Sequence, residues 1–158
     1  MALRQSKQIL AGFPVLSPLN ASCGVLLAHE YVVQTGLALN DVIEMGGIPE
    51  GCIVASARAV MEDLDSNVTP LIALDMGLIS GEYGKKDNTR TCGTEFLSAD
   101  VTGRTGGVAV SSRAAGHLLT PNEAVRGFGF KVQAAAATLV VGAKIRTYLQ
   151  VVSAPVGM

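Results

Sequence analysis

Hydrophobic and polar residues alternate with a period of two along most of the chain, and that period predicts strands. Gly24 to Val33 sets Val25, Leu27, His29, Tyr31 and Val33 on one face. Asp41 to Met45 predicts a short strand, closed by Gly46-Gly47-Ile48-Pro49-Glu50-Gly51. Cys52 to Met61 sets Ile53, Ala55, Ala57, Ala59 and Met61 against Ser56 and Arg58. Pro70 to Met76 follows, ended by Gly77, and the Gly-, Lys- and Asp-rich residues 79–93 read as a surface loop. Thr94 to Asp100 fits a short helix or a short strand, and Gly107 to Ser111 a short strand. In Val125 to Gln133, Phe128, Phe130 and Val132 face away from Gly127, Gly129, Lys131 and Gln133. The clearest strand is the last. Leu139, Val141, Ala143, Ile145, Thr147, Leu149 and Val151 oppose a wet face of Lys144, Arg146, Tyr148 and Gln150. Residues 134–138 between them read as a turn or bulge.

About eight short strands separated by Gly, Pro and Asn turns predict an all-β fold, an antiparallel β-sandwich of two packed sheets. Residues 1–23 break the pattern. They mix Leu3, Ile9, Leu10, Phe13, Val15 and Leu16 with Pro14 and Pro18, sustain no helical period, and read as an extended arm before a sandwich domain at 24–158. An apolar arm must pack on something to stay ordered. It has its own domain or a neighbour to choose from, and we take the neighbour, so these six side chains are the expected assembly contacts.

Composition sharpens this picture. Apolar residues make up 49% of the 158 and charged residues only 16%, against about 25% in average proteins. Such a deficit implies that part of the surface is covered in an assembly; the alternative is a compact domain whose surface is diluted by small residues such as the 18 glycines. A chain of this length buries roughly 70% of its unfolded surface and needs no metal or disulfide to fold. Net charge is −1 and the longest basic run is Lys85-Lys86, which leaves no footprint for nucleic acid or for an anionic membrane. The run Ala134 to Ala143 is too short to span a bilayer. Ile9 to Leu16 is too short and proline-broken for a signal peptide, so the matches to the glycosylation pattern at Asn20 and Asn67 carry no meaning. Cys23, Cys52 and Cys92 are odd in number and lack C-x-x-C spacing, which fits free thiols in a reducing compartment.

Catalytic and metal motifs fail one by one. Asp63-Leu-Asp65-Ser-Asn67 copies the start of a calcium loop, but Val68 stands where glycine is needed and Leu74 where a bidentate glutamate is needed. The plainer reading is a turn in which Asp and Asn cap backbone N–H groups. His29 and His117 lie far apart, without the H-x-H of a cupin metal site. Cys92, in Arg90-Thr-Cys-Gly93, has the most polar setting of the three cysteines and an arginine that could lower its pKa. It lacks a base other than a remote His117. Ser111-Ser112 lacks a G-x-S-x-G frame, and Thr102-Gly-Arg-Thr-Gly-Gly107 lacks the P-loop lysine. Gly127-Phe-Gly-Phe130 fits close sheet packing better than base stacking. We expect no catalytic residue, cofactor or metal.

One stretch carries a resemblance. Asp41-Val-Ile-Glu-Met45, Ile48-Pro49-Glu50-Gly51, Glu62-Asp-Leu-Asp65 and Ala73-Leu-Asp-Met-Gly77 with Ser80-Gly81, then Arg90-Thr-Cys-Gly93, Glu95-Phe96 and Gly106-Gly107, resemble the capsid decoration, or cement, proteins of tailed bacteriophages. The likeness covers roughly residues 40–151. It implies a jelly-roll-like sandwich on the exterior of an icosahedral shell, assembled in the host cytoplasm. Its partners would be the major capsid protein and further copies of itself, as a homodimer or homotrimer, with no catalytic residues to carry over. Two other classes stay open: another virion β-module at the neck, tail or fibre attachment, and a ligand-binding or enzymatic β-sandwich with a deep polar pocket.

Overall fold

The computed structural model describes residues 1–12 and 24–154. Among them are nine strands: β1 Leu3–Gln5, β2 Val25–Val32, β3 Val42–Ile48, β4 Cys52–Met61, β5 Ala73–Ile79, β6 Leu97–Asp100, β7 Gly107–Val110, β8 Arg126–Ala134 and β9 Lys144–Ser153. Two single-turn helices, α1 Lys7–Leu10 and α2 Ala114–His117, join them. The strands form a β-sandwich, with a five-stranded sheet in the order β1-β3-β8-β5-β6 and a four-stranded sheet in the order β2-β9-β4-β7. Pairing is antiparallel throughout except for β1, which lies parallel to β3.

The inner faces make one core. Ile43, Met45, Leu74, Met76, Phe128 and Phe130 of one sheet meet Leu27, Tyr31, Ala59, Ile145 and Leu149 of the other, all buried. At about 25 cal/mol per Å² of apolar surface removed from water, each large side chain here contributes roughly 1.5–3 kcal/mol. This is the inner set expected for β2, β8 and β9. The C-terminal strand begins later than its alternation suggested, because residues 139–143 make only a bridge from Leu139 to Asp65 and a turn.

Bulges account for the errors in face assignment. In β4 the register shifts between Val54 and Ser56. The extra residue flips the alternation, so Cys52 and Val54 point inward while Ala55 is exposed and Ile53 only half-buried. In β3 the shift lies between Glu44 and Gly46, and the strand continues through Gly46 and Gly47, which were read as its closing turn. Gly46 is needed there because the ring of His29 occupies the space a Cβ would take. β5 likewise runs through Gly77 to Ile79, and the ambiguous segment near residue 97 is a strand, β6.

The N-terminal residues do not hang free. Ala2 N–H donates to Asp41 Oδ1 at 2.7 Å, and Arg4 reaches Asp41 Oδ2 at 3.3 Å and Gly36 O at 2.7 Å. The Ser6 hydroxyl donates to Met45 O. Leu3 is buried against Val42, Ile79 and Cys92 of its own sheet, so this side chain stabilises its own domain. Ile9 is half-buried and Leu10 is 65% exposed on α1. Phe13, Val15 and Leu16 lie outside the described residues.

Candidate assembly surface

The two sheets are finished differently on their outer faces. The five-stranded sheet is covered by its own chain. Residues 80–96 fold back over it, tied by Gly93 N–H to Leu78 O and Ser80 N–H to Thr91 O, both at 2.9 Å. A buried ion pair fixes the cover. Arg90 makes a two-point contact with Glu44 at 2.6 and 3.0 Å, with side-chain exposures of 2% and 0%. Arg90 also donates to Ser80 O at 2.6 Å and Lys85 O at 2.9 Å. Gly127 of β8 lies beneath the pair, and a methyl group there would come within 2.5 Å of Glu44 and 2.9 Å of Arg90. Nearby, Glu95 accepts the Leu78 N–H at 2.9 Å.

Cys92 sits under this cover. Burial pushes its thiol pKa up to about 12, and its sulfur faces Gly129 O at 3.4 Å. Cys92 is thus a buried free thiol, as the cysteine pattern led us to expect: Arg90, which could have lowered its pKa, spends its charge on Glu44, and the thiol faces backbone.

His29 packs edge-on against Phe128 with ring centroids 5.4 Å apart. Desolvation lowers its pKa to about 4, so it is neutral at physiological pH. His117 lies 3.4 Å from Ser111 O through Nε2. Among the described residues no group of three or more His, Cys, Asp or Glu side chains could hold a metal.

The calcium-like segment is a backbone clamp. Asp63 caps the Asp65 N–H, Asp65 caps Asn67 and Asn67 caps Thr69. Asp65 also accepts the N–H groups of Leu71, Ile72, Ala137 and Thr138 at 2.7–3.2 Å. Burial alone would raise its pKa. The N–H donors of Thr138, Leu71, Ala137 and Ile72 outweigh that and hold the carboxyl well below the usual carboxylate range.

Among the described residues no element covers the outer face of the four-stranded sheet in this way. Register sets its rows. Leu26, Gln150 and Ser56 are cross-strand neighbours, as are Ala28, Tyr148, Arg58 and Val110, and Glu30, Arg146, Val60 and Val108. Leu26 is 59% exposed, Val108 58% and Val110 64%. The sequence pattern identified the polar members of this face, Arg58, Tyr148 and Gln150. It missed Leu26, Val108 and Val110, which face outward. Their signal was the phase of the alternation, since Leu26 is out of step with Val25 and Leu27. Of the six side chains expected to make assembly contacts, Phe13, Val15 and Leu16 lie outside the described residues. Leu3 is buried on the other sheet, and Ile9 and Leu10 are on α1, which packs near β2 and β3.

A chain from the capsid of Ralstonia phage GP4 has this fold, with a TM-score of 0.92 and 31% sequence identity over 98% of this chain and 99% of that one. The chain belongs to the phage capsid proteins. A second capsid chain, from the cyanophage Pam1 capsid asymmetric unit, shares the fold with a TM-score of 0.63 and 24% identity, over 91% of this chain and 96% of that one. No family model and no curated protein matches the sequence. As a phage capsid protein the chain is a structural component of the virion. Its likeness to capsid chains points to association with other capsid subunits.

Proposed function

We propose that this capsid protein decorates the exterior of an icosahedral phage shell and stabilises contacts between neighbouring major capsid subunits. The observation that carries the reading is the asymmetry of the sandwich. The described fold closes its core within one chain and caps one sheet with its own loop, yet leaves the other sheet face bare and partly apolar. A self-contained domain with one sticky face is suited to adhere to an existing shell. Many identical weak contacts around the symmetry axes would then add through avidity. Copies meeting as dimers or trimers at those axes would reinforce it. Leu10, exposed on α1, with Ile9, Phe13, Val15 and Leu16, would supply a second contact.

The test uses purified capsids of the cognate phage assembled without this protein. Added protein should co-sediment with them at a copy number that tiles the shell and raise their thermal disruption temperature. Binding only at a few copies per particle would move the protein to a neck, tail or fibre attachment. No binding would refute the decoration role.

A further inference from the structure

The bare sheet face is chemically lopsided. Its outward-pointing charged residues are Arg58, Lys144 and Arg146 against Glu30 and, just past the end of β4, Glu62, which accepts the Lys144 N–H at 2.8 Å. Glu30 is engaged by Arg146 at 2.8 Å. Arg58 is exposed, its guanidinium lies 4.9 Å from the Tyr148 ring centroid, and no carboxylate among the described residues meets it. Stacking uses the face of a guanidinium and leaves its in-plane N–H donors free for a two-point contact with a carboxylate. A groove of about 390 Å³ runs past this arginine, with Leu26 and Val110 as its apolar walls and Ser56 and Gln150 as polar ones. Leu26 and Val110 stand on the outermost strands, β2 and β7. Three strand spacings separate those strands, roughly 14 Å, which about four extended residues can span.

Two copies of this face would oppose each other with an excess of positive charge, which argues against self-association here. We infer that the groove docks a neighbouring virion subunit through an extended segment bearing a carboxylate side chain between apolar ones. Arg58 takes the carboxylate, and Leu26 and Val110 take the flanking apolar groups. This deepens the decoration reading and rests on it. It names the face and the chemistry of the partner.

The experiment measures co-sedimentation of the full chain with nuclease-treated capsids assembled without it, across a range of NaCl concentrations. Arg58→Glu should weaken binding at least about tenfold and Arg58→Lys less, because lysine keeps the charge but loses the two-point geometry. Val110→Asp should weaken it comparably. Lys86→Glu, on the loop that covers the opposite sheet, should bind as the wild type does. Circular dichroism melting should show all four variants folded, since the altered side chains are exposed or lie on that surface loop. Wild-type affinity in Arg58→Glu and Val110→Asp overturns the inference and leaves the decoration role standing. A wild-type chain that ignores the capsids overturns both. Binding to untreated capsids that is lost on the nuclease-treated ones overturns it in favour of nucleic acid. A change of oligomeric state in Arg58→Glu with capsid binding intact overturns it in favour of self-contact.

Discussion

The Glu44–Arg90 pair offers the sharpest test of how the covered sheet is held. Both side chains are essentially without solvent contact, and the guanidinium meets both carboxylate oxygens. Replacing Arg90 with methionine keeps the stem but strands a buried carboxylate. Breaking one side of such a pair costs roughly 3–5 kcal/mol, a large part of the about 5–15 kcal/mol that holds a domain folded. With a urea dependence of about 1–3 kcal/mol per molar, the unfolding midpoint of Arg90→Met should fall by at least about 1 M, measured by circular dichroism. Adding Glu44→Gln removes the stranded charge and keeps an acceptor for the Gly84 N–H, which lies 3.3 Å from the carboxylate. The double variant should therefore be more stable than Arg90→Met alone. Because the pair is buried, 1 M NaCl should barely change these differences. A loss below about 1 kcal/mol in Arg90→Met, or a double variant worse than either single, would refute the argument that an uncompensated buried charge drives the loss.

Three further outcomes follow from the geometry. Burial sets the His29 pKa at about 4 against about 6.5 in an unfolded chain. Between those values the unfolded chain binds a proton that the folded one does not. Urea stability should hold level above about pH 6.5 and fall toward pH 4, and His29→Leu should flatten that slope. Asp65 has a depressed folded pKa, so its contribution is present above the ordinary carboxylate range and is lost as pH falls below it. Asp65→Asn should cost about 1–3 kcal/mol at pH 7 and remove that acid-side loss. Cys92, buried with its pKa raised to about 12, should resist iodoacetamide in the folded protein and react on unfolding, read by peptide mass spectrometry. Rapid labelling under native conditions would overturn the buried setting.

The period-two alternation was enough to read an all-β sandwich from the chain, because on a strand the side chains of one face recur every second residue whatever surrounds them. Phe128, Phe130 and Val132 against Gly127 and Gly129, and Ile145, Thr147 and Leu149 against Lys144, Arg146 and Tyr148, were legible for that reason. The capping role of the Asp63-to-Asn67 turn was legible too, since those side chains act on backbone two residues away. What alternation cannot encode is a bulge. One inserted residue at Ala55 and one beside Met45 reversed the phase of half a strand without any local mark. Nor could it pair Glu44 with Arg90 across 46 positions, or tell that Leu3 would be buried on its own sheet. Those depend on which strands become neighbours, a choice made by burial of the whole core. The same choice decided which sheet the loop at 80–96 would cover, and so left the outer face around Arg58 without a cover among the described residues.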